Sequence, residues 1–459
     1  MAILTTRWFA LPLMAALCAL HGAALARDRP KPAASKTSTD KAFQKIKKDF
    51  QQRAHNKKPA ERIAALKLLE EHPSGDAADL VYVTLLDDHA DEVRQAAVSF
   101  LAGWREREDV SARLLQRMTT VTRKDGMDVR ALGALRALAG TEDSALQEQV
   151  LKYLDEFLGT PQIDLFLLHG MIDAESPRGD ANEVLRMLAL FSRAQFFDNH
   201  FGFRRCTLQG MSQVPSKEAI THEINLLPRL KGLVQFDVVS HLVTSTGQNF
   251  GDDAAKWKAW WVVNKDQPEP AAKPKIPPVG SYGKFGDYYG IPICAKRVVF
   301  VLDTSGSMRG GKVEAAQTEL IRAVRELPKE VSFSIVAFDS TVRVWQRELV
   351  PATEQNKQIA VNVVLEQQPR NDTASFDALE AAFGLDPEAI YFLSDGAPQG
   401  GKITAPGEII ATIARWNRVR RISIHSIGID TKADKSVNPF ARFMSALADA
   451  DWGVYRAVD

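Results

Sequence analysis

The chain has 459 residues, room for two or three domains of roughly 100–200 residues each. It is 45% hydrophobic and 25% charged with a formal net charge of +1, the composition of an ordinary soluble globular protein. No acidic or basic excess points to nucleic acid or a polyanionic surface as partner.

At the N-terminus Arg7 supplies a positive charge, residues 8–20 form a short apolar run, and Ala24-Leu25-Ala26 fits the small-x-small pattern before a cleavage site. The run falls short of the roughly 20 apolar residues of a membrane anchor. Residues 1–26 therefore read as a cleaved signal peptide, with an uncleaved anchor as the alternative. Leu17 stands where a lipoprotein would need a small residue before Cys18, and no twin arginine is present. The general secretory route and a periplasmic or secreted location are expected, with no integral membrane segment after cleavage. Cleavage leaves Cys206 and Cys294. Export permits a disulfide, but sequence alone does not bring the two together, so a bridge and two separate thiols both stay open.

Residues 27–41, rich in Pro, Ser, Thr, Ala and Lys, read as a disordered spacer. Residues 42–263 are dominated by Leu and Ala at helical spacing. Three segments place an arginine before a stripe of small residues and leucines: Arg62, Arg94 and Arg130, separated by 32 and 36 residues. A period of that size marks helical hairpins that stack to bury their faces. Asp91, Val93 and Arg94 followed by Ala96, Ala97 and Leu101 resemble the second helix of a HEAT repeat. The expectation is an all-α HEAT-like solenoid, with a plain bundle as the alternative. Trp257, Trp260 and Trp261 share one helix face near its end and read as a core plug, after a cap at Asp252 or Asp253. Residues 264–295 form a linker, Pro-rich at first and then rich in Gly and Tyr, the tyrosines resting on the domain that follows.

From residue 296 strands and amphipathic helices alternate, which predicts a doubly wound, Rossmann-like α/β domain over 296–459 with helices on both faces of a parallel sheet. One antiparallel edge hairpin is expected at Asp339-Ser340. The apolar run 298–302 delivers Asp303, then Ser305 and Ser307; Asp395 ends a second buried run; Thr373 precedes a helix between them. In an open α/β sheet, ligands bind beyond the carboxyl ends of the strands. Two carboxylates beside hydroxyls there suit a hard divalent cation, which takes oxygen donors at about 2.0–2.1 Å if it is Mg²⁺. The bland alternative is a polar rim in which the two aspartates cap helices.

Asp303-x-Ser305-x-Ser307, Thr373 and Asp395-Gly396, in that order, resemble the von Willebrand factor A domain. That resemblance implies a metal-ion-dependent adhesion site in which Ser305, Ser307 and Thr373 are hydroxyl ligands. Asp303 and Asp395 would act directly or through water. The cation would be Mg²⁺, with Mn²⁺ or Ca²⁺ possible, and it would capture an Asp or Glu of a protein partner. The helical repeats would offer a second interaction surface. Nucleophilic catalysis lacks a base beside the serines, so no enzyme activity is expected. Two other readings stand beside this one: an accessory subunit of a chelatase-like or remodelling ATPase, and a metal-dependent hydrolase. The sequence gives neither the partner nor the oligomeric state.

Overall fold

Burial patterns divide the chain into a helical half and a sheet half. The computed structural model describes residues 36–125, 129–158, 181–266, 284–430 and 438–458. The expected signal segment, most of the spacer and residues 267–283 of the linker lie outside them. The helices are α1 (Lys36–Ala54), α2 (Pro59–Ala65), α3 (Gly75–Leu85), α4 (Asp91–Ala102), α5 (Glu108–Asp125), α6 (Val129–Ala139) and α7 (Ser144–Leu158). They continue as α8 (Ala181–Phe191), α9 (Gln195–Asn199), α10 (Phe201–Gln213), α11 (Lys217–Leu226), α12 (Leu233–Thr246) and α13 (Ala254–Asn264).

The first helix starts at Lys36, inside the stretch read as spacer. Phe50 is fully buried and Phe43 and Ile46 pack on the same core, so a helix nucleated there propagates backward through weak helix formers. Several helices contact the next but one, α3 on α5 and α4 on α6, as stacked pairs do. The three motif arginines converge on one turn. Arg62 grips the Asp88 carboxylate with Nε at 2.7 Å, Arg94 donates to the Asp88 carbonyl at 2.5 Å, and Arg130 pairs with Asp87 at 2.8 Å. Asp253 caps α13, Trp257 and Trp261 are buried, and Trp260 packs at the margin of the same core.

The sheet half begins with a hairpin, β1 (Asp287–Tyr288) and β2 (Ile291–Pro292). This lies in the second half of the stretch read as linker, and Tyr288, buried against Phe300 and Tyr391, rests on the following core as expected of its tyrosines. Next come β3 (Arg297–Asp303), α14 (Lys312–Glu326), β4 (Ser332–Phe338), β5 (Val342–Val344), β6 (Val350–Pro351), α15 (Glu354–Leu365) and α16 (Ser375–Gly384). The chain closes with β7 (Ala389–Ser394), α17 (Pro406–Arg420), β8 (Ser423–Ile429), α18 (Pro439–Ala450) and β9 (Tyr455–Val458). The larger sheet runs β5-β4-β3-β7-β8-β9, with β6 also on β4. Its central pairings are parallel, and β5 and β6 are antiparallel on β4, so the edge hairpin at Asp339-Ser340 forms.

Alternation along β3 sends Val298, Phe300 and Leu302 to one face and Val299 and Val301 to the other. Val313, Ala316 and Leu320 of α14 cover the first face; Phe376 and Leu379 of α16, Ile409 and Ile413 of α17, and Phe443 and Met444 of α18 cover the second. A sheet buried on both faces explains the unbroken apolar runs.

The helical half docks on the amino ends of the strands. Leu233, Phe201 and Phe236 pack on the sheet's first core. Arg205 of α10, 2% exposed, pairs with Asp237 at 2.7 Å and donates to the Arg421 carbonyl at 2.5 Å, just before β8. Its guanidinium also lies 5.9 Å from the Trp452 ring centre. Arg205→Ala should lower unfolding free energy by about 3 kcal/mol, because it strands a half-buried carboxylate and a carbonyl together. Urea denaturation measures this, and an unchanged midpoint would show that the contact contributes nothing. Cys206 and Cys294 are both buried and no disulfide joins them. Among the described residues no helix is long and apolar enough to cross a membrane.

Candidate metal centre

Strands β3 and β7 are parallel neighbours, Leu302 opposite Leu393, so Asp303 and Ser394 leave the sheet side by side at its carboxyl edge. The loop after β3 folds back on its own aspartate: the Ser305 N–H donates to Asp303 Oδ1 at 2.7 Å. The other oxygen, Oδ2, accepts from the Ser394 hydroxyl at 2.5 Å. Ser305 and Ser307 hydroxyls lie 3.0 Å apart, and Ser307 Oγ donates to Asp395 Oδ1 at 2.6 Å. Asp303 and Ser305 are buried while Ser307 is exposed, so the cluster opens to solvent on one side.

Thr373 reaches this edge through backbone bonds. The Thr304 carbonyl accepts the Arg370 N–H, and the Asn371 carbonyl accepts the Gly306 N–H, both at 2.8 Å. Asn371 sits at φ 39°, a left-handed turn that asparagine tolerates better than most residues. Thr373 is buried, and its carbonyl accepts the N–H groups of Gln399 and Gly400. Its hydroxyl has no hydrogen-bond partner among the described residues.

Burial pushes the Asp303 carboxyl up to about 6, against the pull of hydrogen bonds from Ser394 and Ser305, and the Asp395 charge adds to the rise. Such a pair of carboxylates calls for positive charge. Among the described residues no group of three His, Cys, Asp or Glu side chains is placed to hold a metal ion. The donors here are two carboxylates and hydroxyls, one of them unengaged. That hard-oxygen set fits Mg²⁺, Mn²⁺ or Ca²⁺ and suits no soft metal.

Sequence reasoning missed three members of this neighbourhood. Ser394 was visible as the residue before Asp395, but its bond to Asp303 depends on strand register. Lys312 Nζ lies 3.0 Å from Asp395 Oδ2 and 3.3 Å from Asp430 Oδ2. Nothing local in the sequence ties Lys312 or Asp430 to a site far along the chain.

The helical half holds another polar chain that the sequence did not reveal. His241 Nδ1 lies 2.7 Å from Glu223 Oε2, and its Nε2 lies 3.0 Å from Ser245 Oγ. Glu223 also accepts from Ser212 at 2.7 Å. The order matches a hydrolase relay. Ser245, however, lies on the last turn of α12, where the negative helix end opposes an oxyanion. The network ties α10, α11 and α12 together.

Residues 296–457 match the family model described as von Willebrand factor type A domain. Similar proteins include inter-alpha-trypsin inhibitor heavy chain H3 of Bos taurus, 38% identical over 90 residues, which is 20% of this chain and 10% of that one. Another is von Willebrand factor A domain-containing protein 3A of Homo sapiens, 27% identical over 158 residues, 34% of this chain and 13% of that one. This chain therefore spans only about a tenth of the length of these relatives. Among solved structures, von Willebrand factor type A from Catenulispora acidiphila is 20% identical with a TM-score of 0.32, over 37% of this chain and 40% of that one. Residues 296–457 thus form a von Willebrand factor type A domain, preceded in the same chain by a helical region.

Proposed function

We propose that this protein is an exported, non-enzymatic binding protein. Its C-terminal domain would capture an acidic side chain of a partner protein through a divalent cation, most simply Mg²⁺. Asp303, Ser305, Ser307, Thr373 and Asp395 would hold that cation. The observation that carries this reading is the convergence of two carboxylates and hydroxyls at a solvent-facing carboxyl edge of the sheet. The bound cation would supply a position for one partner carboxylate. The chain's own groups do the rest: Ser394 and the Ser305 N–H orient Asp303, and Ser307 orients Asp395. The next-but-one packing of the helices supports a HEAT-like array, whose role would be a second interaction surface.

Calorimetric titration with Mg²⁺ tests the reading. Asp303 must lose its proton before it can face a cation, and its carboxyl titrates at about 6. Moving from pH 7.5 to pH 5 should therefore weaken Mg²⁺ binding about tenfold. No binding at pH 7.5, or equal binding at both values, would count against the assignment.

A further inference from the structure

Both oxygens of Asp395 are engaged by the chain itself. Ser307 Oγ donates to Oδ1 at 2.6 Å, and the Lys312 ammonium donates to Oδ2 at 3.0 Å. The Asp395 side chain is fully buried, while that of Lys312 is 29% exposed, so the ammonium stands at the mouth of the site. Arg343, a second cation near this edge, is committed elsewhere: it donates to Asp339 and to the Thr304 hydroxyl, each at 2.7 Å.

Helix energetics do not explain a lysine here. Lys312 is the first residue of α14, where the positive helix end disfavours a cation. Gly310 and Gly311, at φ 81° and 97°, turn the chain so that this residue meets the acidic edge. Asp430, after β8 and with its side chain 61% exposed, gives the ammonium a second anchor at 3.3 Å. A flexible stem between a buried and an exposed carboxylate can leave one and keep the other.

We propose that Lys312 is a tethered counter-cation that holds Asp395 in the metal-free protein and competes with the divalent ion for the site. The proposal rests on the metal-centre reading above. A unit charge a few ångströms from a dication raises the free energy of the loaded state, even at the high effective dielectric of a half-exposed rim. Lys312 would thereby set the cation concentration at which the site fills, and with it the threshold for partner capture.

The test is Mg²⁺ titration of the full chain at pH 7.5, by calorimetry and by melting temperature with and without Mg²⁺. Lys312→Gln should bind Mg²⁺ about tenfold more tightly and show a larger Mg²⁺-induced rise in melting temperature. Lys312→Met, which keeps the apolar stem, should behave alike, and Lys312→Arg, which keeps the charge, should match the parent. Equal or weaker binding by folded Gln and Met variants, with the parent binding Mg²⁺, overturns the counter-cation and leaves the metal centre standing. Absence of Mg²⁺ binding in the parent and in every variant overturns both.

Discussion

Asp303→Asn should abolish Mg²⁺ binding and, with it, metal-dependent capture of a partner. The substitution removes one of two carboxylates while keeping shape: the amide oxygen still accepts the Ser305 N–H, and the amide nitrogen can donate to Ser394 Oγ. Loss of an outer partner typically weakens a metal site 10–100-fold. Loss of a charged ligand should exceed about 100-fold. The fold should survive. Burial holds the folded carboxyl at about 6, above its ordinary value of 3.8, so the ionised form opposes folding at neutral pH. That penalty is complete above about 6, shrinks as pH falls from there towards 3.8 and is gone below it, and the asparagine removes it at every pH. The metal-free variant should therefore melt no lower than the parent at pH 7.5. Thr373→Ala, which deletes a neutral donor, should weaken Mg²⁺ binding by about tenfold only. The reverse ranking would remove Asp303 from the centre, and capture that is equal with EDTA and with Mg²⁺ would remove the metal from the function.

Gly453→Ala should be among the most destabilising single changes in the chain. A Cβ at this position would stand 1.8 Å from the Ile424 carbonyl oxygen and 2.4 Å from its carbon, both backbone atoms. Neither can swing aside as a side-chain tip would. The crossing is pinned from both sides: Ile424 N–H donates to the Asp451 carbonyl at 3.0 Å, and Ser426 N–H donates to the Val454 carbonyl at 3.0 Å. Val454 N–H meets His425 Nδ1 at 3.1 Å, where burial holds the imidazole neutral, down to about 3. Accommodating one methyl group means breaking the β8–β9 pairing. We expect a loss above about 4 kcal/mol, beyond the usual range for a point change. Thermal melting followed by circular dichroism measures it, with a fall on the order of 10 °C or more. A melting temperature within a degree or two of the parent would mean that the β8–β9 crossing is not as close as described.

The alternation of strands and helices, the helix faces and the residues at the strand ends were legible because they are local. An apolar run such as 298–302 marks a doubly buried strand wherever it lies, and the residue that ends it must emerge at the sheet's rim. Asp303, Ser305, Ser307 and Asp395 could be placed on one edge from strand ends alone, and Thr373 from the helix it precedes. The start of α1 was misjudged because its composition resembles spacer, and the β1–β2 pairing was not foreseen, although the tyrosines around it were expected to rest on the following domain. Packing of Phe43 and Phe50 outweighs the spacer-like composition, and packing is not local.

By itself the sequence determined which oxygen-bearing residues end the strands and so make up the proposed metal centre, since side-chain chemistry and strand-end position are properties of short segments. Only the tertiary structure decided how that edge of the sheet is charged and approached. Strand register brings Ser394 to Asp303, and the turn at Gly310 and Gly311 brings Lys312 to Asp395. Docking of Arg205 at the amino ends of the strands sets the helical half on the pole opposite the site. Each of these depends on groups dozens to hundreds of residues apart, and distance through space follows from packing rather than from spacing along the chain.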